Sequence, residues 1–218
     1  MELVKTLLST ATRFAVFQNM EVAHAPEVIE SIKSRYRFWV GPKGPKEFDL
    51  TAGVKFEYGR FDSVTIDTMQ VFWNGMFVQA HARTEIIDSI IDDFSVWVER
   101  EFEVGSLASK PVNRTYISAL EVRSVIKLNS RFDALNRVAD RLSVLMGQYG
   151  VSMDRYQVTT IAIQTDPALA KPLTPGRFVF DRRVGIPYSG DIYYSEAPVS
   201  TDEHMELLEM LEQSLEGA

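Results

Sequence analysis

The chain has 218 residues, a formal charge of −7 and no cysteine. That length suits one domain or two small ones and is enough to bury a sizeable core. The missing cysteines exclude disulfides, Cys-ligated zinc, iron–sulfur clusters and thiol catalysis, and point to a reducing, cytoplasmic setting. A sequence pI near 5.1 argues against a dominant nucleic-acid surface, because phosphate recognition rests on concentrated Lys and Arg. The charge divides evenly: 12 basic and 16 acidic residues lie up to Lys110, 11 and 14 beyond it. The one biased stretch is Asp202 to Glu216, which holds six acids and neither Lys nor Arg.

Met1 to Phe17 is interrupted by Lys5 and Arg13, so it reads as a strand over Glu2 to Phe17, not as a leader. No run is long enough for a membrane helix. The sequon at Asn113-Arg114-Thr115 is read as chance. Pro26 suits a helix start, and Val28, Ile29, Ile32 and Tyr36 recur at helical spacing, predicting a helix over 26–37. Gly41 to Lys46 ends it in a loop. Val54, Phe56 and Tyr58 alternate with Lys55 and Glu57 as a half-buried strand. Val64 to Gln79 predicts a hairpin that turns at Asn74-Gly75 in a type I′ turn. Thr84 is expected to cap the next helix, whose apolar stripe is Ile87, Ile90, Ile91, Phe94, Trp97 and Val98.

Gly105 to Pro111 is small and polar and marks the main joint, giving lobes of 1–108 and 109–218. Thr115 to Leu128 follows as a long strand. Ser130 should cap a helix carrying Phe132, Leu135, Val138, Leu142 and Leu145. Strands are expected over 156–163, 177–184 and 192–195, with a proline-rich loop at 166–176. Ser200 and Glu203 have capping-box spacing before the final helix.

The two halves share an order of strand, helix, two or three strands, helix. At an offset of 117, Phe77 to Ala80 meets Tyr194 to Ala197, and Thr84 meets Thr201. Ile90, Ile91, Phe94 and Val98 meet Leu207, Leu208, Leu211 and Leu215. The expected class is therefore α+β: two pseudo-repeated two-layer lobes, each a largely antiparallel sheet with helices on one face. The order is similar to the ferredoxin-like one, an analogy of fold that carries no function.

No residue is assigned a catalytic role. There is no nucleophile elbow, phosphate-binding loop or dinucleotide fingerprint. His24, His81 and His204 lack metal-ligand spacing, and no metal or cofactor is expected. Asp88, Asp92 and Asp93 are read as the solvated side of an amphipathic helix. Arg177, Arg182 and Arg183, with Arg114 if the strands adjoin, are the candidate anion-binding group; Asp181 is expected to pair with its neighbouring arginines. The hairpin tip, Phe72, Trp73, Met76 and Phe77, is the candidate partner-binding surface, because aromatic residues and Met are enriched at interface centres. The loop at 41–50 and Phe38-Trp39-Val40 are the candidates for covering it.

The leading expectation is a non-enzymatic assembly protein working in a homo- or hetero-oligomer. The alternatives are a hydrolase-like enzyme using His204, His81, carboxylates and Arg182 or Arg183, and an anion or nucleic-acid binder using the four arginines.

Overall fold

The structure, a computed structural model, describes residues 1–14, 26–103, 113–124, 133–150, 155–169 and 175–216. The expected joint at 105–111, the strand end at 125–128, the cap at Ser130, Phe132 and His24 lie outside the described residues. Among the described residues no helix is long and apolar enough to cross a membrane.

The class is α+β, and the described residues form eight strands and four helices. The strands are β1 (Glu2–Phe14), β2 (Val54–Phe61), β3 (Val64–Phe72), β4 (Gly75–Ala80), β5 (Arg114–Arg123), β6 (Thr160–Ile163), β7 (Phe178–Arg182) and β8 (Ile192–Ala197). The helices are α1 (Pro26–Arg35), α2 (Thr84–Phe102), α3 (Asp133–Gln148) and α4 (Thr201–Glu216). One antiparallel sheet has the order β2-β3-β4-β1-β5-β8-β7-β6.

Contacts divide the chain into two compact units. The first is Thr6–Ala119 with Pro198–Thr201; the second is Met1–Lys5, Leu120–Ala197 and Asp202–Ala218.

In the first unit, strand alternation sends Ala11, Met76, Val78, Ala80, Met69, Val71, Val54 and Phe56 to one face. There they meet Val28, Ile29 and Ile32 of α1 and the whole expected stripe of α2 in one buried cluster. Burying each such side chain stabilises by roughly 2 kcal/mol. The opposite face carries Thr10, Thr12, Phe14, Gln70, Phe72, Phe77 and Gln79, all half-buried.

Two local expectations are corrected here. The β3–β4 hairpin pairs Phe72 with Gly75, so its turn is Trp73-Asn74. None of Trp73, Asn74 and Gly75 has positive φ, so the type I′ requirement does not apply. Glycine at 75 is needed for another reason: a Cβ there would lie 2.6 Å from the Arg13 carbonyl oxygen of β1. Thr84, in turn, does not cap its own helix. The N-cap is Arg83, whose side chain makes no capping bond, while the Thr84 hydroxyl accepts the Thr201 N–H at 2.7 Å. The Thr201 hydroxyl accepts the Thr84 N–H at 3.0 Å. Two helices thus satisfy each other's first-turn donors.

The second unit has a smaller core of Leu120, Val122, Phe180, Tyr193 and Leu208, with Met205, Leu211 and Leu215 against it. The α3 stripe departs from expectation: Leu135, Val138 and Leu142 are exposed, and none of the described α3 side chains is buried. Residues 156–159 are not strand, and β6 begins at Thr160. The expected final helix forms over Thr201–Glu216. β4 and β8 share one burial pattern along their six residues, reading buried, buried, half-buried, buried, half-buried, buried.

Candidate functional site

The face of the first unit turned away from α1 and α2 contains an apolar groove of about 360 Å³. Phe14 of β1, Phe72 of β3 and Phe77 of β4 supply its rings, and Thr12, Gln70, Asn74, Gly75 and Met76 complete its lining. The register explains the convergence. Phe72 and Phe14 both lie opposite Gly75, while Phe77 lies opposite Thr12 and Gln70. Gly75 has no side chain, which lets the β1 backbone pass close and brings Phe14 beside Phe72 and Phe77.

Trp73, in the turn beside this groove, is 49% exposed. The loop at 49–53 packs against the tip and one side of the groove, where Gln70 donates to the Ala52 carbonyl at 3.1 Å. Leu50 accepts the Trp73 N–H at 3.1 Å, and a Cβ at Gly53 would collide with the Phe72 ring. The Phe38-Trp39-Val40 segment packs elsewhere. Phe38 is buried against Phe56, Val40 bridges to Glu57 on the edge of β2, and Trp39 is 85% exposed. Of the four expected surface residues, Met76 has its side chain in the core. Phe14 was missed by sequence reasoning, because only the β1–β4 register brings it to the tip.

The four candidate arginines have separate environments. Arg182 is buried, with its guanidinium 4.4 Å from the Tyr193 ring and 4.9 Å from the Tyr188 ring. It also donates to the Tyr188 carbonyl at 3.0 Å, so it staples the β7–β8 connection. Arg183 bonds Glu121 at 2.9 Å, and Arg114 lies 3.7 Å from Asp88. Arg177 is exposed just before β7, roughly 20 Å of extended chain from Arg183. Asp181 does not pair with these arginines; it accepts from the Thr160 hydroxyl at 2.8 Å.

Of the α2 carboxylates expected on a solvated face, Asp92 is exposed, while Asp88 and Asp93 are half-buried and act as tethers. Asp88 and Asp92 hold the buried Arg13, and Asp88 also accepts from the Tyr116 hydroxyl at 2.6 Å. Asp93 grips Arg35 with both oxygens and accepts from the Tyr36 hydroxyl at 2.7 Å. Burial, and next its bond to Asp93, push the Tyr36 phenol well above its ordinary value. These carboxylates turn toward strand and helix neighbours because Arg13 sits on the helix-facing side of β1.

His81 is exposed, contacts the Leu7 carbonyl and lies 3.3 Å from Asp67. His204 is fully buried in the second unit, where Nε2 is 2.8 Å from the Ser195 hydroxyl. That hydroxyl also lies 2.8 Å from the Val179 carbonyl, which can only accept. Ser195 therefore gives its one proton to Val179, and His204 donates to Ser195. The proton runs opposite to what an activated serine needs. Among the described residues no three acidic or histidine side chains converge to hold a metal ion.

No protein-family model and no curated protein sequence matches the chain.

Proposed function

We propose that this protein is a non-enzymatic assembly protein whose first unit binds a second copy of the chain. The observation that carries the reading is the pairing of a half-exposed Trp73 with an open aromatic groove on the adjacent strands. A knob and a hole side by side on one surface are self-complementary. In a two-fold dimer each Trp73 enters the partner's groove, and the same patch serves both subunits. Thr10, Thr12, Gln70 and Gln79 on the same face form a polar surround to the aromatic centre, the usual composition of an interface. The absence of cysteine supports a cytoplasmic setting for this assembly.

The same reading includes two structural copies within the chain. Each half runs strand, helix, three strands, helix, and in each the last strand of the meander adjoins the first strand of that half. The matching burial of β4 and β8 and the reciprocal Thr84–Thr201 bonds, all at the offset of 117, support it.

Size-exclusion chromatography with light scattering tests the assembly. The wild type is expected near twice the 24.7 kDa chain mass. Trp73→Ser and Phe77→Thr should each give the monomer with unchanged circular dichroism. A wild-type monomer, or dimers that survive both substitutions, would overturn the reading.

A further inference from the structure

A second concavity of the first unit, about 400 Å³, is lined by Arg35, Tyr36, Arg37, Arg60, Phe61, Asp62 and Asp93. Three arginines line it, and sequence spacing hides this: one ends α1, one lies two residues beyond it, and one comes from the far end of β2. The backbone brings them together. Arg60 donates its N–H to the Tyr36 carbonyl at 2.6 Å, Trp39 donates to Tyr58 and Val40 to Glu57. Gly59 permits this approach, since a Cβ there would collide with the Phe38 ring.

Arg37 occupies a position that usually belongs to glycine. The Phe38 N–H bonds the Lys33 carbonyl at 2.9 Å, and the Arg37 N–H bonds the Ser34 carbonyl at 3.3 Å. These are the two bonds of a Schellman motif, whose C′ residue adopts the left-handed conformation. Arg37 does so, with φ of 50°. Asp62, also lining the pocket, has φ of 48°, and neighbouring Tyr58 has 57°. Two of the five non-glycine residues with positive φ among those described therefore line this pocket, and Tyr58 is two residues from Arg60. A glycine at 37 would relieve strain; an arginine there adds a cation to the pocket. Concentrated backbone strain is a marker of functional geometry when it is observed rather than assumed.

The donors divide by role. Arg35 is committed to Asp93 and lies over the Trp97 ring at 5.1 Å, which fixes its position. Arg60 directs Nε to the Asp62 carbonyl at 2.9 Å, leaving its terminal amino groups to the pocket. Arg37 is exposed, and no described residue engages its guanidinium. Asp93 offsets Arg35, and the Asp62 carboxylate offsets one of the remaining pair, so the lining keeps an excess of one positive charge.

We propose that this pocket binds the phosphoryl group of a small phosphorylated molecule, with Arg37 and Arg60 donating to its oxygens and Arg35, locked by Asp93, fixing the wall behind them. A phosphate monoester carries close to two negative charges at neutral pH and three oxygens, so it engages two guanidinium forks at once. The volume is in the range of small-molecule sites and larger than a bare anion requires. The site is independent of the Trp73 groove, and its failure would leave the assembly reading untouched.

Isothermal titration at low salt provides the test, with inorganic phosphate, adenosine monophosphate, adenosine and acetate as probes. Both phosphate-bearing probes should bind; tighter binding of the monophosphate identifies an ester as the source, and equal binding identifies the free ion. Adenosine and acetate should bind at least tenfold more weakly. Arg60→Gln should weaken phosphate binding at least fivefold. Arg37→Gly should weaken it equally while leaving the melting temperature the same or higher, which a structural arginine would not do. The proposal is overturned by no phosphate binding at millimolar concentration, by affinity unchanged in the Arg37→Gly, Arg60→Gln double variant, or by acetate binding as tightly as phosphate.

Discussion

At the residue scale, buried polar groups hold the clearest consequences. The Tyr193 hydroxyl is buried with no hydrogen-bond partner among the described residues. Burial raises its pKa to about 12, with Asp191 adding to the rise and Arg182 opposing it. Burial, then the bond to Glu196, raises Tyr194 to about 12 as well. Both phenols hold their protons more tightly in the folded chain than at the ordinary value of 10. Their contribution to stability is therefore fully present below about pH 10 and is lost as pH rises toward about 12. Tyr193→Phe should be neutral or stabilising by about 1 kcal/mol, since it removes an unpaired buried hydroxyl. Urea midpoints at about pH 8 and about pH 11 check this, and the variant should lose less stability between them than the wild type. Asp88→Ala should cost about 3 kcal/mol, because it strips a partner from a buried guanidinium and from Tyr116. A loss below about 0.5 kcal/mol would mean Asp92 alone satisfies Arg13. The sequence shows Asp88 and Asp92 on one helix face, but not that Arg13, 75 positions before Asp88, is the partner of both.

At the element scale, periodicity made the core faces of α1 and α2 legible: each expected core residue is buried, although α1 ends at Arg35, two residues short of the expected 37. Turn chemistry misled at β3–β4, where Asn74-Gly75 has the look of a tight turn. The glycine is required by the close passage of the Arg13 backbone, a long-range contact that no local pattern carries. Periodicity also overreached at α3, where a good apolar stripe is left exposed, because a stripe specifies a face and not what meets it. The Thr84–Thr201 exchange was visible only as an alignment of two helix starts. Its physical content gives a prediction. Thr84→Ala and Thr201→Ala should each cost about 1 kcal/mol, as for a lost N-terminal cap. Each hydroxyl serves the other's backbone and the two hydroxyls lie 3.2 Å apart, so the double variant should lose less than the summed single losses. A double-mutant cycle from chemical denaturation measures it, and strict additivity would argue that the two ends act separately.

At the scale of the whole molecule, composition and element order gave the α+β class, and the strand order adds that one sheet runs through the described strands. The candidate surface was half legible. Trp73, Phe72 and Phe77 stand out in the sequence, but Phe14 joins them only through the β1–β4 register, and Met76 leaves them because alternation carries it to the core. The central claim is that Trp73 of one chain enters the aromatic groove of another. A photo-crosslinking residue at position 73, in a mixture of light and isotope-labelled chains, tests it most directly. The account predicts light-to-heavy crosslinks on peptides containing Phe14 or the stretch from Phe72 to Phe77. Crosslinks confined to one chain, or landing elsewhere on the second, would contradict it.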